Sequence, residues 1–304
     1  MAIANSPRVA VIGLGSMGFG MATALLRAGL DVIGCDVLPA TVERFVTAGG
    51  YGAATPAEAA KTADIVVSVV VNAAQTETIL FGPNGAVDAM PKGSVLVSSA
   101  TMDPEIARAL AKRVEAAGHF YLDAPISGGA QRAAEGALTI LASGSRTAFA
   151  KAKPALDAMA ATLYDLGDEP GQGAAFKMIN QLLAGVHIAA ASEAMAFAAR
   201  QNLDLRKVYE VITASAGNSW MFENRMPHVL DADYAPRSAV EIFVKDLGIV
   251  QDMARNARFP APVAAAALQM FLAAAGSGMG RDDDASVARL YARISGTKIP
   301  GEPK

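Results

Sequence analysis

Short runs rich in valine and isoleucine alternate with helix-like stretches through the first half of the chain. This alternation restricts the fold more than any other feature. Val9–Leu14 precedes a helical stretch near Met17–Ala28, and Asp31–Cys35 precedes one over Ala40–Ala48. Ile65–Val71, Ser94–Ser98 and the short, edge-like Phe120–Leu122 follow, with a helical stretch over Pro104–Ala117 between the last two. Parallel strands need crossover connections, and within one sheet those crossovers are right-handed. The pattern therefore predicts βαβ units and a doubly wound parallel sheet. Gly136–Ala142 predicts one more strand and Arg146–Met159 a further helix.

Beyond about Gly173 the rhythm changes. Lys177–Arg200 has helical periodicity with a single glycine, Gly185, and Leu205–Ser215, Ala239–Asn256, Pro262–Gly276 and Ala285–Ile294 follow as helices. The glycine-rich segment Asp165–Gly173 marks the change. The expected architecture is α/β: a doubly wound sheet over residues 1–170 and an all-α domain over 171–304.

At 304 residues with 52% hydrophobic and 18% charged side chains, the chain has material for two cores. A formal net charge of −3 gives no global basic field, so neither nucleic acid nor an anionic membrane surface is an expected partner. One cysteine, Cys35, allows no internal disulfide and reads as a small core residue. The start of the sequence carries no apolar signal-peptide core, so a cytoplasmic location is expected. The apolar runs Leu182–Ala199 and Pro262–Ala275 read as buried helices, the first interrupted by His187 and Glu193 and the second too short to span a bilayer.

The loop after the first strand is Gly13-Leu14-Gly15-Ser16-Met17-Gly18. Between a strand and a helix this spacing is a dinucleotide cradle of the Rossmann type. The first glycine permits a tight turn, the second admits a pyrophosphate, and the third allows close helix–strand packing. Amides at the helix N-terminus favour an anion there. Asp36, at the end of the second strand, stands where an acid holds the ribose hydroxyls and repels a 2′-phosphate, which favours NAD over NADP. Its bland alternative is a helix N-cap for the segment near Pro39.

Extended to Gly13-x-Gly15-x-Met17-Gly18-x-x-Met21-Ala22, the loop resembles the β-hydroxyacid dehydrogenase family. Three further blocks carry the same resemblance in order: Asp123-Ala124-Pro125-Ile126-Ser127-Gly128-Gly129, then Gly171-Gln172-Gly173 with Lys177 and Asn180, then Lys245-Asp246-Leu247. The family usually has asparagine where this chain has Ala24, a departure expected to affect packing. The resemblance implies a hydride transfer between NAD and a small hydroxyacid, with Lys177 and Asn180 catalytic. It also implies that Ser127, Gly128 and Gly129 cradle the substrate carboxylate. Val71, Asn72, Thr101 and Lys245 are implied as cofactor contacts beside Gly13 to Gly18 and Asp36.

The residue types agree with that chemistry. Oxidising an alcohol needs a group to take the hydroxyl proton, and Lys177 lies in an otherwise apolar helix. Desolvation and a neighbouring nicotinamide cation would each lower its pKa towards working range. Asn180, three residues on, shares its helix face and could orient the lysine or the substrate. Against these stand plain readings: a snorkelling lysine for Lys177, an ordinary turn for Ser127–Gly129, and a surface Lys–Asp pair for Lys245.

Gly217–Arg225 and Ser238–Gly248 resemble the branch of the family acting on a four-carbon sugar acid. Asn218 and Ser219 add the polar groups a polyhydroxy acid needs. Another small hydroxyacid substrate stays open, as does a non-catalytic dinucleotide-binding module. Imine reductases usually lack the lysine, so Lys177 argues against that class. No metal is expected: the three histidines show no ligand spacing, and Asp282-Asp283-Asp284 reads as a helix N-terminus. By the same resemblance the long helix from Lys177 is expected to bury surface in a homodimer or homotetramer.

Overall fold

The structure is a computed structural model that describes residues 6–302. By its internal packing the chain divides into two compact units, Met1–Lys177 and Met178–Lys304.

In the first unit six strands form one parallel sheet. They are β1 (Arg8–Ile12), β2 (Asp31–Cys35), β3 (Tyr51–Ala53), β4 (Ile65–Ser68), β5 (Val95–Ser98) and β6 (Phe120–Asp123), in the order β3-β2-β1-β4-β5-β6. Strand order reverses between β1 and β4, so their carboxyl ends open a crevice at the switch point. Both faces are covered, and side chains alternate between them. Val9, Val11, Ile65, Val67, Val95 and Val97 enter one core, while Ala10, Ile12, Val66 and Leu96 enter the other. The crossovers use α1 (Ser16–Arg27), α2 (Pro39–Thr47), α3 (Pro56–Ala60), α4 (Ala73–Phe81) and α5 (Pro104–Ala116).

The expected strand over Gly136–Ala142 begins later and lies elsewhere. A second sheet joins β7 (Ile126–Ser127), β8 (Leu138–Ala142) and β9 (Ala160–Asp165), with β7–β8 antiparallel and β8–β9 parallel. Gly136 is instead the left-handed cap of α6 (Gly129–Glu135), and α7 (Arg146–Met159) connects β8 to β9. Helix α6 packs on α1, where a side chain at Gly20 would collide with the backbone of Ala133 and Ala134. Ala24 is buried close to Gly136 in the same contact, so its small size suits this packing.

Ile65–Val71 is strand only to Ser68. The backbone then turns, with the Val69 N–H donating to Ile12 and the carbonyl of Val69 lying against Gly13. Residues 51–53 form a three-residue edge strand, too short to show a period.

The helical region starts with α8 (Gln172–Arg200), five residues before Lys177. It continues with α9 (Leu205–Thr213), α10 (Trp220–Leu230), α11 (Val240–Asn256), α12 (Pro262–Ala274) and α13 (Val287–Ser295). Helix α10 has no counterpart in the sequence expectations, and it contains Pro227, a residue type that disfavours helix interiors. The structure keeps it inside the helix and caps the start with Ser219, whose Oγ accepts the Phe222 N–H. Helix α11 packs closely on α8: a side chain at Gly185 would strike Leu247 and Phe243. Phe243 stacks on Phe271 of α12 with ring centroids 5.1 Å apart.

By length and composition alone, Gln172–Arg200 and Pro262–Met279 could each cross a membrane. Half of the most apolar window of the first is buried, but only 28% of that of the second. Ala264, Ala267, Phe271 and Ala274 form a narrow inward stripe on α12, while Val263, Ala266, Gln269, Leu272 and Ala273 are exposed.

Candidate active site

The glycine loop sits at the carboxyl end of β1, at the switch point. The Gly13 N–H donates to Cys35 at 2.8 Å, and Gly13 adopts φ +96°, which a side chain would strain. A Cβ on Gly18 would collide with the Gly13 carbonyl, so this glycine lets α1 close on the loop. Gly15 is different. It has ordinary φ, and a Cβ there would meet no atom within 4 Å. Open space before the first turn of α1, whose leading amides lack helical acceptors, is what a pyrophosphate requires. The residues present therefore fit a dinucleotide.

Asp36 follows β2 directly. Its Oδ2 accepts the Leu14 N–H at 2.7 Å and its Oδ1 accepts the Leu38 N–H at 2.9 Å. Leu38, not Asp36, occupies the N-cap of α2. The carboxylate thus joins the cradle to the end of β2, with lone pairs left for ribose hydroxyls. Val37 and Leu38 beside it are exposed, and neither offers a cation to a 2′-phosphate.

Val71 and Asn72 follow β4, next to β1 in the sheet. Asn72 caps α4 by accepting the Gln75 N–H at 2.8 Å, while Gln75 accepts the Val71 N–H at 2.9 Å. Thr101 follows β5 at the same sheet edge. Ser127 ends β7, and Gly128 and Gly129 open α6, both at positive φ.

Asp123, read only as part of a family block, turns out to build the start of the lysine-bearing helix. It is 2% exposed at the end of β6, and Oδ2 accepts the N–H groups of Gly171 at 2.9 Å and Ala174 at 2.8 Å. Ser143 takes the Gly173 N–H at 3.0 Å. Two side chains from the sheets thus cap α8. Burial raises the carboxyl of Asp123 to about 6, against the opposing pull of these amides.

Lys177, one turn further along α8, is only 7% exposed, so it is no snorkelling surface lysine. Asn180 is exposed, and the buried partner on its stretch of helix is Gln181. Asn180 Nδ2 donates to Gln181 Oε1 at 3.0 Å, and Gln181 Nε2 donates to Asp246 Oδ2 at 2.5 Å. Lys245 Nζ donates to Asp246 Oδ1 at 2.5 Å. The plain Lys–Asp pair thus exists, but its carboxylate is 1% exposed and tied into a chain. Sequence reasoning missed Gln181; its i,i+4 spacing from Lys177 was the available signal.

Asn218 bonds within its own stretch of chain. Its Nδ2 donates to the Thr213 carbonyl at 3.2 Å and to Glu223 at 2.5 Å, which shapes the turn before α10. Its Oδ1 is buried with no partner among the described residues.

The three aspartates at 282–284 each meet a basic side chain. Asp282 pairs with Arg289, Asp283 with His228, and Asp284 with Arg225. Asp283 also accepts the Ala285 N–H, the capping role expected from its position. His228, distant in sequence, is thus brought to the acidic run. Among the described residues no group of three or more His, Cys, Asp or Glu side chains is placed to hold a metal.

A parallel sheet of this order, with a glycine cradle at its switch point and a buried lysine on the helix beyond, defines a dinucleotide-dependent oxidoreductase. Comparison with known proteins narrows the class. Residues 8–167 match the family described as the NAD binding domain of 6-phosphogluconate dehydrogenase. Residues 171–291 match the one described as the NAD-binding region of NADP-dependent 3-hydroxyisobutyrate dehydrogenase. The chain is 52% identical over 297 residues to L-threonate dehydrogenase of Cupriavidus necator, covering 98% of this chain and 99% of that one. It is 50% identical to L-threonate dehydrogenase of Pectobacterium atrosepticum, covering 94% and 95%. A crystal structure described as 3-hydroxyisobutyrate dehydrogenase from Salmonella typhimurium superposes with TM-score 0.90 at 49% identity, covering 94% of this chain and 100% of that one. The chain belongs to the 3-hydroxyisobutyrate dehydrogenase-like family of NAD-dependent hydroxyacid dehydrogenases.

Proposed function

We propose that the protein oxidises L-threonate at C2 to 2-oxo-tetronate (2-dehydro-L-erythronate), with NAD as the hydride acceptor. Relatives 46–52% identical over nearly the whole chain carry the L-threonate dehydrogenase name, and this observation carries the substrate. When bound in the Gly13–Gly18 cradle, NAD would supply the hydride acceptor for C2. Lys177 takes the proton of the C2 hydroxyl, a role its burial in α8 supports.

Asn180 orients the substrate, and Ser127, Gly128 and Gly129 hold its carboxylate with a hydroxyl and unobstructed amides. Asn218 offers Oδ1 as an acceptor for a further hydroxyl. Gly13, Leu14, Gly15, Ser16, Met17 and Gly18 cradle the pyrophosphate, Asp36 binds the ribose, and Val71, Asn72, Thr101 and Lys245 complete the cofactor contacts. The dinucleotide-binding part comprises residues 1–170 and the helical part 171–304.

The protein works in the cytoplasm as a homodimer or homotetramer. Phe176, Ile179, Leu183 and Phe197 on α8 are all about half exposed or more, and their apolar surface supports association through this helix.

A panel of L-threonate, D-glycerate and 3-hydroxyisobutyrate, each with NAD and with NADP, tests the reading at the nicotinamide absorbance. L-Threonate with NAD is expected to give the largest kcat/KM. Reduction of NAD by 3-hydroxyisobutyrate but not by L-threonate overturns it, in keeping with the description of the Salmonella structure.

A further inference from the structure

Asn180 and Lys245, to which different tasks fall, are the two ends of one hydrogen-bonded chain through Gln181 and Asp246. The direction of that chain is fixed by chemistry. An ionised carboxylate only accepts, so Gln181 must turn its NH₂ towards Asp246 and its carbonyl oxygen towards Asn180. Asn180 must then give Nδ2 to Gln181, which leaves its own Oδ1 as the outward group. A buried carboxylate tolerates burial only when its oxygens are engaged, and here each oxygen of Asp246 has a donor.

We propose that Gln181 and Asp246 are positioning residues: Asp246 sets the orientation of the Lys245 ammonium directly and of the Asn180 amide through Gln181. Asn180 thereby presents an acceptor, which suits a substrate carrying a hydroxyl donor over one carrying a methyl group. This inference rests on the roles proposed above for Asn180 and Lys245. An asparagine free to rotate would accept either group, so Gln181 acts on specificity and not on the proton transfer itself.

The test uses full-length protein, with L-threonate, or the acid selected by the panel, as substrate. Gln181→Met keeps the length of the side chain and removes its polar atoms. It is expected to raise KM about tenfold with NADH affinity within about twofold of wild type, the scale of one buried hydrogen bond. The double variant Asn180→Ala/Gln181→Met is expected to be no worse than Asn180→Ala alone, because both break the same link. Asp246→Asn, which removes the charge facing Lys245, is expected to weaken NADH binding and raise KM together.

A purely structural glutamine would lower the melting temperature and leave KM unmoved, and that result overturns the proposal. Additive effects of Asn180→Ala and Gln181→Met overturn it as well. Should Gln181→Met fail to fold, Gln181→Glu places a second carboxyl against Asp246. Its KM is then expected to rise with pH as their shared proton is lost, and a KM independent of pH sinks the idea. Asn180→Ala and Lys245→Ala at wild-type KM and NADH affinity overturn the site reading and this inference together. An impaired Asn180→Ala beside an unaltered Gln181→Met overturns the inference alone.

Discussion

The carboxylate of Asp123 accepts the backbone N–H of Ala174 at 2.8 Å, across 51 residues of chain, and so ties the end of β6 to the start of α8. Because Lys177 lies one turn along that helix, the bond fixes the position of the lysine relative to the sheet edge. Burial holds the folded-state pKa near 6 against an ordinary value of 3.8, so the folded protein keeps this proton more tightly than the unfolded chain. The stability associated with Asp123 is therefore fully present below pH 3.8 and is lost as pH rises through 6. Asp123→Asn retains an acceptor and has no proton to lose. Relative to wild type it should gain about 3 kcal/mol between the two limits. Urea unfolding of both proteins at several pH values between 4 and 7.5 reads this difference directly, and parallel curves would refute it.

The glycine loop makes distinct predictions at two of its positions. Gly15→Ala places a methyl group in open space with ordinary backbone angles, so the melting temperature should hold while NADH affinity falls about tenfold or more. Gly18→Ala drives a methyl group into the Gly13 carbonyl and should cost about 3 kcal/mol of stability. Calorimetric binding and thermal melts on the two variants separate the outcomes.

Asp284 is fully buried and gripped by Arg225 through both oxygens, Nε at 2.6 Å and one terminal nitrogen at 3.1 Å. Burial still raises its carboxyl to about 6. Removing the cation alone leaves a buried, unpaired acid, so Arg225→Met should destabilise the protein by about 3–5 kcal/mol at neutral pH. Adding Asp284→Asn should recover part of that loss. Denaturant unfolding of the single and double variants checks both statements.

Strand–helix alternation announced the parallel sheet because each buried strand carries its own apolar run, and the boundaries of β2 and α7 match the sequence reading. The glycine loop and its bond to Asp36 lie within one βαβ unit, so their local geometry was legible for a similar reason. What stayed hidden depends on partners distant in sequence. Nothing near Asp123 in the chain says that it caps a helix beginning at Gln172, and nothing near His228 says that it faces Asp283. No helix was expected over residues 129–135, yet they form α6, whose Ala133 and Ala134 lie against Gly20 of α1. Spacing alone puts Lys177 and Asn180 on one helix face. Lys177 is buried and Asn180 exposed, and the residue bonded to Asp246 is Gln181.

Lys177 supplies the decisive contrast between an enzyme and a dinucleotide-binding module. If it takes the substrate proton, Lys177→Met should lower kcat by about 10²- to 10⁴-fold, the usual contribution of a positioned acid–base group. Methionine fills most of the same buried volume, so the melting temperature should change little and NADH should still bind. The loss should fall on kcat and kcat/KM alike, because proton transfer belongs to the transition state and not to the bound ground state. Steady-state kinetics with NADH titration on the same preparation measures all three quantities. Full activity in Lys177→Met would remove the lysine from the chemistry, whatever its burial suggests.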